Sequence, residues 1–369
     1  MTPPLVSFVV PCYKLAHYLG ACLDSILGQT HQQLEVLVMD DCSPDDTASV
    51  VSAYSDPRVR YIRNEPNLGH LRNYNKGINL AQGQYVWLIS ADDCLRARDA
   101  VEKYVRIMED NRSVAYAFCP AMGLSGSGEP TGIVEWTRPF KQDITLSGRE
   151  FLATLVRGNC VSAPSALVRR SCYESVGAFP LDLPHAGDWY LWCAFAFAGD
   201  VAYITEPLIH YRLHEASMSA TLTATKRQLI REDQARVRWR LKEMAEKAGY
   251  PEIASGCVME LATQYASDFA EITPPPVTEE LARAIEEILE QRTRPEERVQ
   301  VRALLSGLLA DQFFSRDRRA HAAYFYRQSL RGNQALISNV VKLALLQMGG
   351  CGRAMRKMAA SLRNSARSG

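Results

Sequence analysis

The amino-acid sequence predicts an α/β domain, built on a mostly parallel sheet flanked by helices, followed by an all-α region. In the first third of the chain, short β-branched runs alternate with stretches of helical periodicity, which is typical of βαβ units. After residue 222 the sequence becomes charged and helical. We therefore expect two domains, residues 1–222 and residues 223–369.

The first domain begins with short apolar runs that each end at a polar cluster. Four strands are predicted on this basis: Leu5–Val10, Leu34–Met39, Arg58–Ile62 and Tyr85–Ile89. An apolar stripe at Leu19, Leu23 and Ile26 predicts a helix after the first strand, and residues 67–81 form a further helical stretch behind a glycine-containing loop.

The pattern is looser from residue 112 to residue 185. Strand-like stretches cover residues 132–136 and 163–168, and Gly123–Gly128 is interpreted as a hairpin turn. Because this run lacks the spacing Gly-x-Gly-x-x-Gly and opens no helix, a nicotinamide-binding Rossmann domain loses its main support. Five helices are predicted in the second domain, with a break at the prolines 274–276: residues 225–247, 258–272, 279–292, 296–314 and 318–330.

Composition excludes several classes of protein. Forty-two Lys and Arg residues against 41 Asp and Glu give a formal charge of +1, so no field of the whole chain attracts nucleic acid. The ten cysteines lack zinc spacing and suit a reducing compartment. The N-terminus lacks the pattern of a signal peptide, and no apolar run is long enough to cross a bilayer. We therefore expect a cytoplasmic protein that does not bind nucleic acid.

Two acidic pairs follow predicted strands. Asp40 and Asp41 follow the second strand, and Asp92 and Asp93 follow the fourth. Ligands of open α/β sheets bind beyond the carboxyl ends of the strands, so both pairs should converge on one crevice. Each pair alone could be a helix cap. Two carboxylate pairs together favour a divalent ion, Mg or Mn, bridging the oxygens of a diphosphate, as in a sugar nucleotide.

Several motifs resemble those of the inverting family 2 glycosyltransferases, which have the GT-A fold, in both order and spacing. They are Val6–Tyr13, Leu34–Ser43, Asn67–Gly69 with Asn75 and Gly77, Leu88–Asp93, Pro164–Arg169, Gly187–Trp192 and Tyr211–His214. The resemblance covers roughly residues 4–220, and the helical remainder lies outside it. It implies a GT-A domain followed by an accessory helical domain.

The resemblance also implies roles for individual residues. Asp188 would be the catalytic base, and Asp92 the metal ligand of an Asp-x-Asp-like motif, with His214 closing over the metal or diphosphate. The nucleotide sugar would be bound by the following residues: Pro11, Tyr13, Asp40, Asp41, Asn67, Gly69, Asn75 and Asp93. One of Asp40 and Asp41 would accept a hydrogen bond from the base, which suits the imide N–H of uracil or thymine.

The implied reaction transfers a sugar from a UDP-sugar or dTDP-sugar to a hydroxyl of a glycan or lipid-linked glycan, in the synthesis of bacterial surface polysaccharide. Two alternatives stay open: a non-catalytic binding or scaffold protein with the same fold, and a sugar-phosphate nucleotidyltransferase. The second would need a glycine-rich, basic loop after the first strand, and residues 11–15 do not supply one. The transferred sugar, the acceptor and the oligomeric state are not specified by the sequence.

The sequence departs from the family pattern at several places. Tyr74 stands where many relatives carry Arg, so the cationic partner of the diphosphate is not identified, and Ser90 stands where the first Asp of an Asp-x-Asp motif often lies. The segment Gln234–Trp239 is one residue longer than the Gln-x-x-Arg-Trp of processive relatives, so we expect the addition of single sugars.

The C-terminal end of the chain has two interpretations. An apolar helix at residues 335–348 and the basic tail after it could contact an anionic membrane surface, or the helix could pack within the helical domain.

Overall fold

The computed structural model describes residues 3–215, residue 217, residues 227–271, 295–315 and 318–330, and several positions between 282 and 290. It divides into two compact units, Met1–Ala254 and Ser255–Gly369. The first unit therefore extends past the boundary predicted at residue 222 and includes one long helix of the charged region. The prediction of a catalytic domain ending at 222 stays a prediction.

The first unit is organised around an eight-stranded mixed sheet. Its strands are β1 (Val6–Cys12), β2 (Leu34–Asp40), β3 (Val59–Arg63), β4 (Tyr85–Leu88), β6 (Val114–Phe118), β9 (Ile144–Leu146), β10 (Leu167–Arg169) and β11 (Asp200–Tyr203). The order across the sheet is β3-β2-β1-β4-β10-β6-β11-β9. Strands β3, β2, β1 and β4 run parallel to one another, whereas β10 is antiparallel to its neighbours β4 and β6. Every residue of β1 and β2 is buried, because helices cover both faces of a parallel sheet.

A second, four-stranded sheet lies at the carboxyl edge of the first. It contains β5 (Cys94–Leu95), β7 (Ala121–Ser125), β8 (Pro130–Ile133) and β12 (Ile209–Leu213), in the order β5-β12-β7-β8. Pairing of His210 with Cys94 holds β12 against β5, which directly follows the second acidic pair. The sheet thus brings Arg212 of β12 to the end of β4, where it contacts Asp92, a residue 120 positions earlier in the chain.

The helices of the first unit are α1 (Ala16–Leu27), α2 (Thr47–Ser52), α3 (His70–Leu80), α4 (Ala100–Asp110), α5 (Gly148–Leu155), α6 (Arg170–Val176), α7 (Gly187–Ala198) and α8 (Arg227–Ala248). Helix α9 (Pro251–Glu271) begins in the first unit and continues into the second. The four strands predicted in the first 90 residues agree with β1 to β4 within two residues at each end.

Helix α3 shows how sequence specifies the first crossover. Gly69 precedes the helix with φ +79°, a conformation that strains any residue with a side chain. Gly77 faces the sheet so closely that an added Cβ would lie 2.4 Å from Val9 Cγ1. These two glycines let α3 start sharply at the edge of the site and pack against β1.

Two predictions in the loose region are corrected by the structure. Residues 132–136 are not one strand, because β8 ends at Ile133 and a 3₁₀ turn covers Glu135–Thr137. Residues 163–168 begin with a 3₁₀ turn at Ala163–Ser165, where Pro164 restricts the backbone, and β10 starts only at Leu167. The predicted hairpin is confirmed, since β7 and β8 pair antiparallel, but its turn is shorter than Gly123–Gly128 because residues 123–125 belong to β7.

The second unit has its own small core. Helices α10 (Pro295–Ser315) and α11 (Arg319–Ser329) bury Phe313 against Phe325, whose rings stack at 5.7 Å. No described helix is long and apolar enough to cross a membrane. The prolines 274–276, the apolar stretch 335–348 and the basic tail lie outside the described residues.

Candidate active site

Two adjoining cavities lie beyond the carboxyl ends of β1, β2 and β4. The first, which we call the Asp41 cavity, has a volume of about 300 Å³. Its described lining consists of Pro11, Cys12, Tyr13, Leu15, Asp41, Asn67, Gly69, His70, Asn73, Tyr74, Ser90, Asp92 and Ser217. Five of the residues predicted to bind a nucleotide sugar are therefore brought together here: Pro11, Tyr13, Asp41, Asn67 and Gly69.

The two members of the first acidic pair have different surroundings. Asp40 is fully buried and lines neither cavity. Its carboxylate accepts hydrogen bonds from the Ser43 N–H, the Tyr61 hydroxyl and Arg63 Nη1, the last at 2.7 Å. Asp40 thus stabilises the loop after β2 instead of facing the cavity.

Asp41 organises the loop that begins α3. Its carboxylate accepts from Asn64 Nδ2 at 3.0 Å and from the N–H groups of Leu68 and Gly69 at 2.8 and 2.9 Å. Asn67 Nδ2 donates to the Asp41 carbonyl at 2.7 Å. A carboxylate has about four acceptor positions, so these three donors leave one for a ligand in the Asp41 cavity.

Asn75 lies apart from both cavities. Its amide accepts from the Phe179 N–H and donates to the Phe179 carbonyl, both at 2.8 Å. The two bonds tie helix α3 to the loop before α7. Asn73, which the sequence did not single out, is the asparagine of this helix that lines the Asp41 cavity, and it donates to the Met39 carbonyl at 2.8 Å.

The second cavity, which we call the Asp188 cavity, has a volume of about 320 Å³. It shares Pro11, His70, Tyr74, Ser90, Asp92 and Ser217 with the first cavity. Its other described lining residues are Leu71, Leu88, Asp93, Trp136, Ser162, Ala163, Pro164, Phe179, Pro184, His185, Gly187, Asp188, Tyr211, Arg212 and Ile230. Asp92 therefore stands where the two cavities meet.

Asp188 lies in the first turn of α7 and is partly buried. Its Oδ2 accepts from Asn159 Nδ2 at 3.0 Å and its Oδ1 accepts from the Trp189 N–H at 2.7 Å. Burial raises the pKa of Asp188 to about 6, against the lowering effect of these two hydrogen bonds. Such a carboxylate is ionised at neutral pH yet basic enough to take a proton from a hydroxyl group.

The second acidic pair is fixed by β12. Asp93 is buried and accepts from the Arg212 N–H at 2.8 Å, and burial together with the neighbouring Asp92 raises its pKa. The Arg212 guanidinium donates to the Asp92 carbonyl at 2.8 Å and to the Ser125 carbonyl at 3.0 Å, and it lies 4.3 Å from the centre of the Tyr18 ring. Arg212 lies within the motif Tyr211–His214, but the sequence alone indicates no role for it. The signal available was its place two residues before His214.

The free oxygen of Asp92 fits a metal ligand. Asp92 Oδ2 lies 3.0 Å from His214 Nε2, whereas its buried Oδ1 has no hydrogen-bond partner among the described residues. Within the described parts of the chain, no group of three or more His, Cys, Asp or Glu residues is placed to hold a metal. Magnesium, however, commonly binds through one or two carboxylates together with substrate phosphates and water. Asp92 and His214 therefore fit a cation shared with a bound diphosphate.

Helix α8 supports the Asp188 cavity. Ile230 lines it, and Asp233, which is buried, accepts from the His185 N–H at 2.9 Å. Arg238 lies 4.8 Å from the Trp189 ring and donates to the Arg157 carbonyl at 3.2 Å. The segment Gln234–Trp239, which is one residue longer than the motif of processive relatives, thus packs through Arg238 beside the turn that carries Asp188.

The comparisons define the class of protein. Residues 7–171 match the family described as Glycosyl transferase family 2. The fold is that of the GT-A enzymes: S. aureus TarS 1-349 in complex with UDP-GlcNAc superposes with a TM-score of 0.55 at 16% identity, covering 88% of this chain and 90% of TarS 1-349. Its complex with UDP gives 0.53 at 17% identity, with 92% and 89% covered.

Residues 7–171 thus form a domain of the family 2 glycosyltransferases, a family of transferase enzymes. A glycosyltransferase of Rickettsia typhi is 28% identical over 221 residues, which are 59% of this chain and 67% of the relative. TuaG of Bacillus subtilis, named for teichuronic acid biosynthesis, is 33% identical over 129 residues, 34% of this chain and 50% of TuaG. The similarity to these relatives thus covers between half and about two thirds of their length. The predicted family and fold are confirmed.

Proposed function

We propose that the protein transfers a sugar, with inversion, from a UDP-sugar or dTDP-sugar to a hydroxyl of a glycan or lipid-linked glycan. One observation carries this proposal. A cavity suited to a nucleoside and a cavity that contains a carboxylate base adjoin at Asp92, whose buried Oδ1 has no hydrogen-bond partner in the described part of the chain. The Asp41 cavity, Asp92 and the Asp188 cavity thus follow one another in the same order as a nucleoside, its diphosphate and an acceptor hydroxyl.

The Asp41 cavity is the proposed site of the nucleoside. Pro11 and Tyr13 border it, and Asn67 and Gly69 form its loop wall. The remaining acceptor position of Asp41 suits the imide N–H that uracil and thymine share. Asp40 has no such position open to the cavity, so of the two acidic residues Asp41 is the one assigned to the base. The complexes of TarS with UDP and UDP-GlcNAc support a uridine donor.

The diphosphate is assigned to the shared wall. Asp92 and His214 would hold Mg or Mn, with Asp93 beside them, and the cation would neutralise negative charge on the leaving diphosphate. Arg212 keeps this wall in place, because it binds the Asp92 carbonyl while its N–H holds the carboxylate of Asp93.

Asp188 is the proposed base. Its carboxylate takes the proton from the acceptor hydroxyl while that oxygen forms a bond to the anomeric carbon. The bond from the anomeric carbon to the diphosphate oxygen breaks, and the nucleoside diphosphate leaves on the opposite face. No covalent intermediate with the enzyme forms, so the anomeric configuration inverts.

The proposed setting is the synthesis of a bacterial surface polysaccharide at the cytoplasmic side of the membrane. The name of the relative TuaG supports this setting. The basic residues predicted to contact the membrane lie outside the described residues, so that contact stays a proposal.

Calorimetric titration of UDP, dTDP and GDP in Mn²⁺ and then in EDTA tests the donor site. We expect UDP or dTDP to bind only with the metal, and Asp92→Ala to lose that binding. Glu65→Ala, at an exposed side chain, serves as the matched acidic control and should bind as the wild type does. Absence of binding of either pyrimidine nucleotide with Mn²⁺ would refute the assignment and favour a guanine-nucleotide donor or the non-catalytic alternative.

A further inference from the structure

The described lining of the Asp188 cavity combines apolar side chains with carboxylates. Eight of its fifteen described residues outside the shared wall are apolar: Leu71, Leu88, Trp136, Ala163, Pro164, Phe179, Pro184 and Ile230. Asp92, Asp93 and Asp188 line the same space. A ligand suited to this cavity has an apolar face and hydroxyl groups that can donate to carboxylates.

Trp136 is the exposed aromatic residue of this wall. It has 48% of its surface exposed, although tryptophan contributes most stability when buried. Its 3₁₀ turn is held in place by Thr137, which is fully buried, accepts from the Ala121 N–H at 2.9 Å and donates to the Val134 carbonyl at 2.6 Å. The indole is thus presented to the cavity from a fixed turn at the end of β8.

The charges of the cavity oppose an anionic ligand. Arg212 is the one described lining residue with a permanent positive charge, and its guanidinium is engaged with two carbonyl groups and the Tyr18 ring. Like charges at short range in a partly buried site repel, so a phosphate or uronate near Asp188 is disfavoured. An uncharged sugar ring has no such penalty.

We propose that Trp136 is the platform for the terminal sugar of the acceptor, and that this sugar is an uncharged pyranose. The apolar C–H face of the ring lies on the indole, and a hydroxyl at its edge points to Asp188. This assignment deepens the proposed function and rests on it, since it names the class of acceptor for the same site.

Saturation-transfer NMR on the full chain tests the platform directly. The probes are the methyl β-glycosides of glucose, galactose and N-acetylglucosamine, with methyl β-glucuronide as the charged counterpart of the first, each with and without UDP and Mn²⁺. We expect one or more neutral glycosides to bind the wild type, and glucuronide to bind more weakly than glucoside. Trp136→Phe should retain binding, whereas Trp136→Ala should weaken it about tenfold.

Two controls separate the platform from folding and from the donor site. Met259→Ala removes a comparably exposed apolar side chain remote in sequence and should bind glycosides as the wild type does. Trp136→Ala should still bind UDP. The platform is refuted if no neutral glycoside binds, if Trp136→Ala binds it as tightly as Trp136→Phe, or if glucuronide binds as well as glucoside. Failure of UDP to bind the wild type would instead refute the donor site.

Discussion

The two cavities of the site are built in different ways. The Asp41 cavity draws on residues next to β1 and β2, at the start of α3 and after β4, and its described lining lies within the first third of the chain apart from Ser217. The Asp188 cavity combines the end of β4, the turn at Trp136, the loop before α7, strand β12 and Ile230 of α8. Much of it thus lies beyond residues 7–171, which match the family.

This difference has a functional meaning. Under the proposed function, the first cavity would receive the nucleoside diphosphate, the part that sugar-nucleotide donors share. The second cavity, which is assembled from segments far apart in sequence, would receive the acceptor. Nucleotide binding would then depend on Asp41, and proton transfer would depend on Asp188 and its support from α8.

The largest expected effect is at Asp188. Asp188→Asn keeps the shape of the side chain but removes the base, so kcat should fall by roughly 10²–10⁴, the usual contribution of general base catalysis. Initial rates of nucleotide release with acceptor measure this loss. A variant that retains more than a tenth of the activity would contradict the role of Asp188.

Substitution at Asp41 should affect a different quantity. Asp41→Asn places an amide N–H₂ among donors that need an acceptor, so nucleotide affinity should fall about tenfold or more. Calorimetry with UDP measures the change. Asp40→Asn is the matched comparison: it should lower the free energy of unfolding by about 1–3 kcal/mol through loss of the Arg63 contact, with a smaller effect on UDP affinity. Equal loss of UDP affinity in both folded variants would contradict the division between Asp40 and Asp41.

Helix α8 should influence the rate of sugar transfer because it holds the loop before α7, which leads into Asp188. Asp233→Ala removes the acceptor of the His185 N–H, three residues before Asp188, and should lower kcat about tenfold with UDP affinity unchanged. Asp233→Asn keeps a carbonyl oxygen for that bond and should recover much of the activity. A kcat of wild-type size in Asp233→Ala would show that α8 does not position the base.

The smallest expected effect is a shift in the pH dependence of kcat/KM. The active form of Asp188 is ionised, so kcat/KM should fall about tenfold per pH unit below its pKa of about 6 and stay level above it until another group titrates. Asn159→Ala removes a hydrogen bond that favours the charged form, so the pKa rises and the acid limb moves to higher pH. An acid limb that does not move in this variant would mean that a group other than Asp188 controls it.

The sequence predicted the parallel part of the sheet well because its signals are local. Buried β-branched runs mark β1, β2 and β4, and the glycines 69 and 77 mark the start and the packing of α3. The antiparallel strand β10 and the 3₁₀ turn at Trp136 were not predicted correctly, because their conformations depend on neighbours distant in the chain. Strand β6 also escaped prediction, although all five of its residues are buried.

The candidate site was predictable to a similar extent. Asp41, Asp92 and Asp188 could be chosen from motifs, since each follows a strand or begins a helix at a recognisable spacing. The contrast between Asp40 and Asp41 could not, because it arises from Tyr61 and Arg63 on β3. Nor could the roles of Trp136, Arg212 and Asp233 be predicted, since each depends on contacts between segments that only the folded chain brings together.

One measurement tests the division between the cavities most directly: UDP dissociation constants in Mn²⁺ for wild type, Asp41→Asn and Asp188→Asn, determined side by side by calorimetry. The account predicts that Asp188→Asn binds UDP as the wild type does, although it is inactive, and that Asp41→Asn binds about tenfold more weakly or worse. Weak binding by Asp188→Asn together with unchanged binding by Asp41→Asn would contradict it.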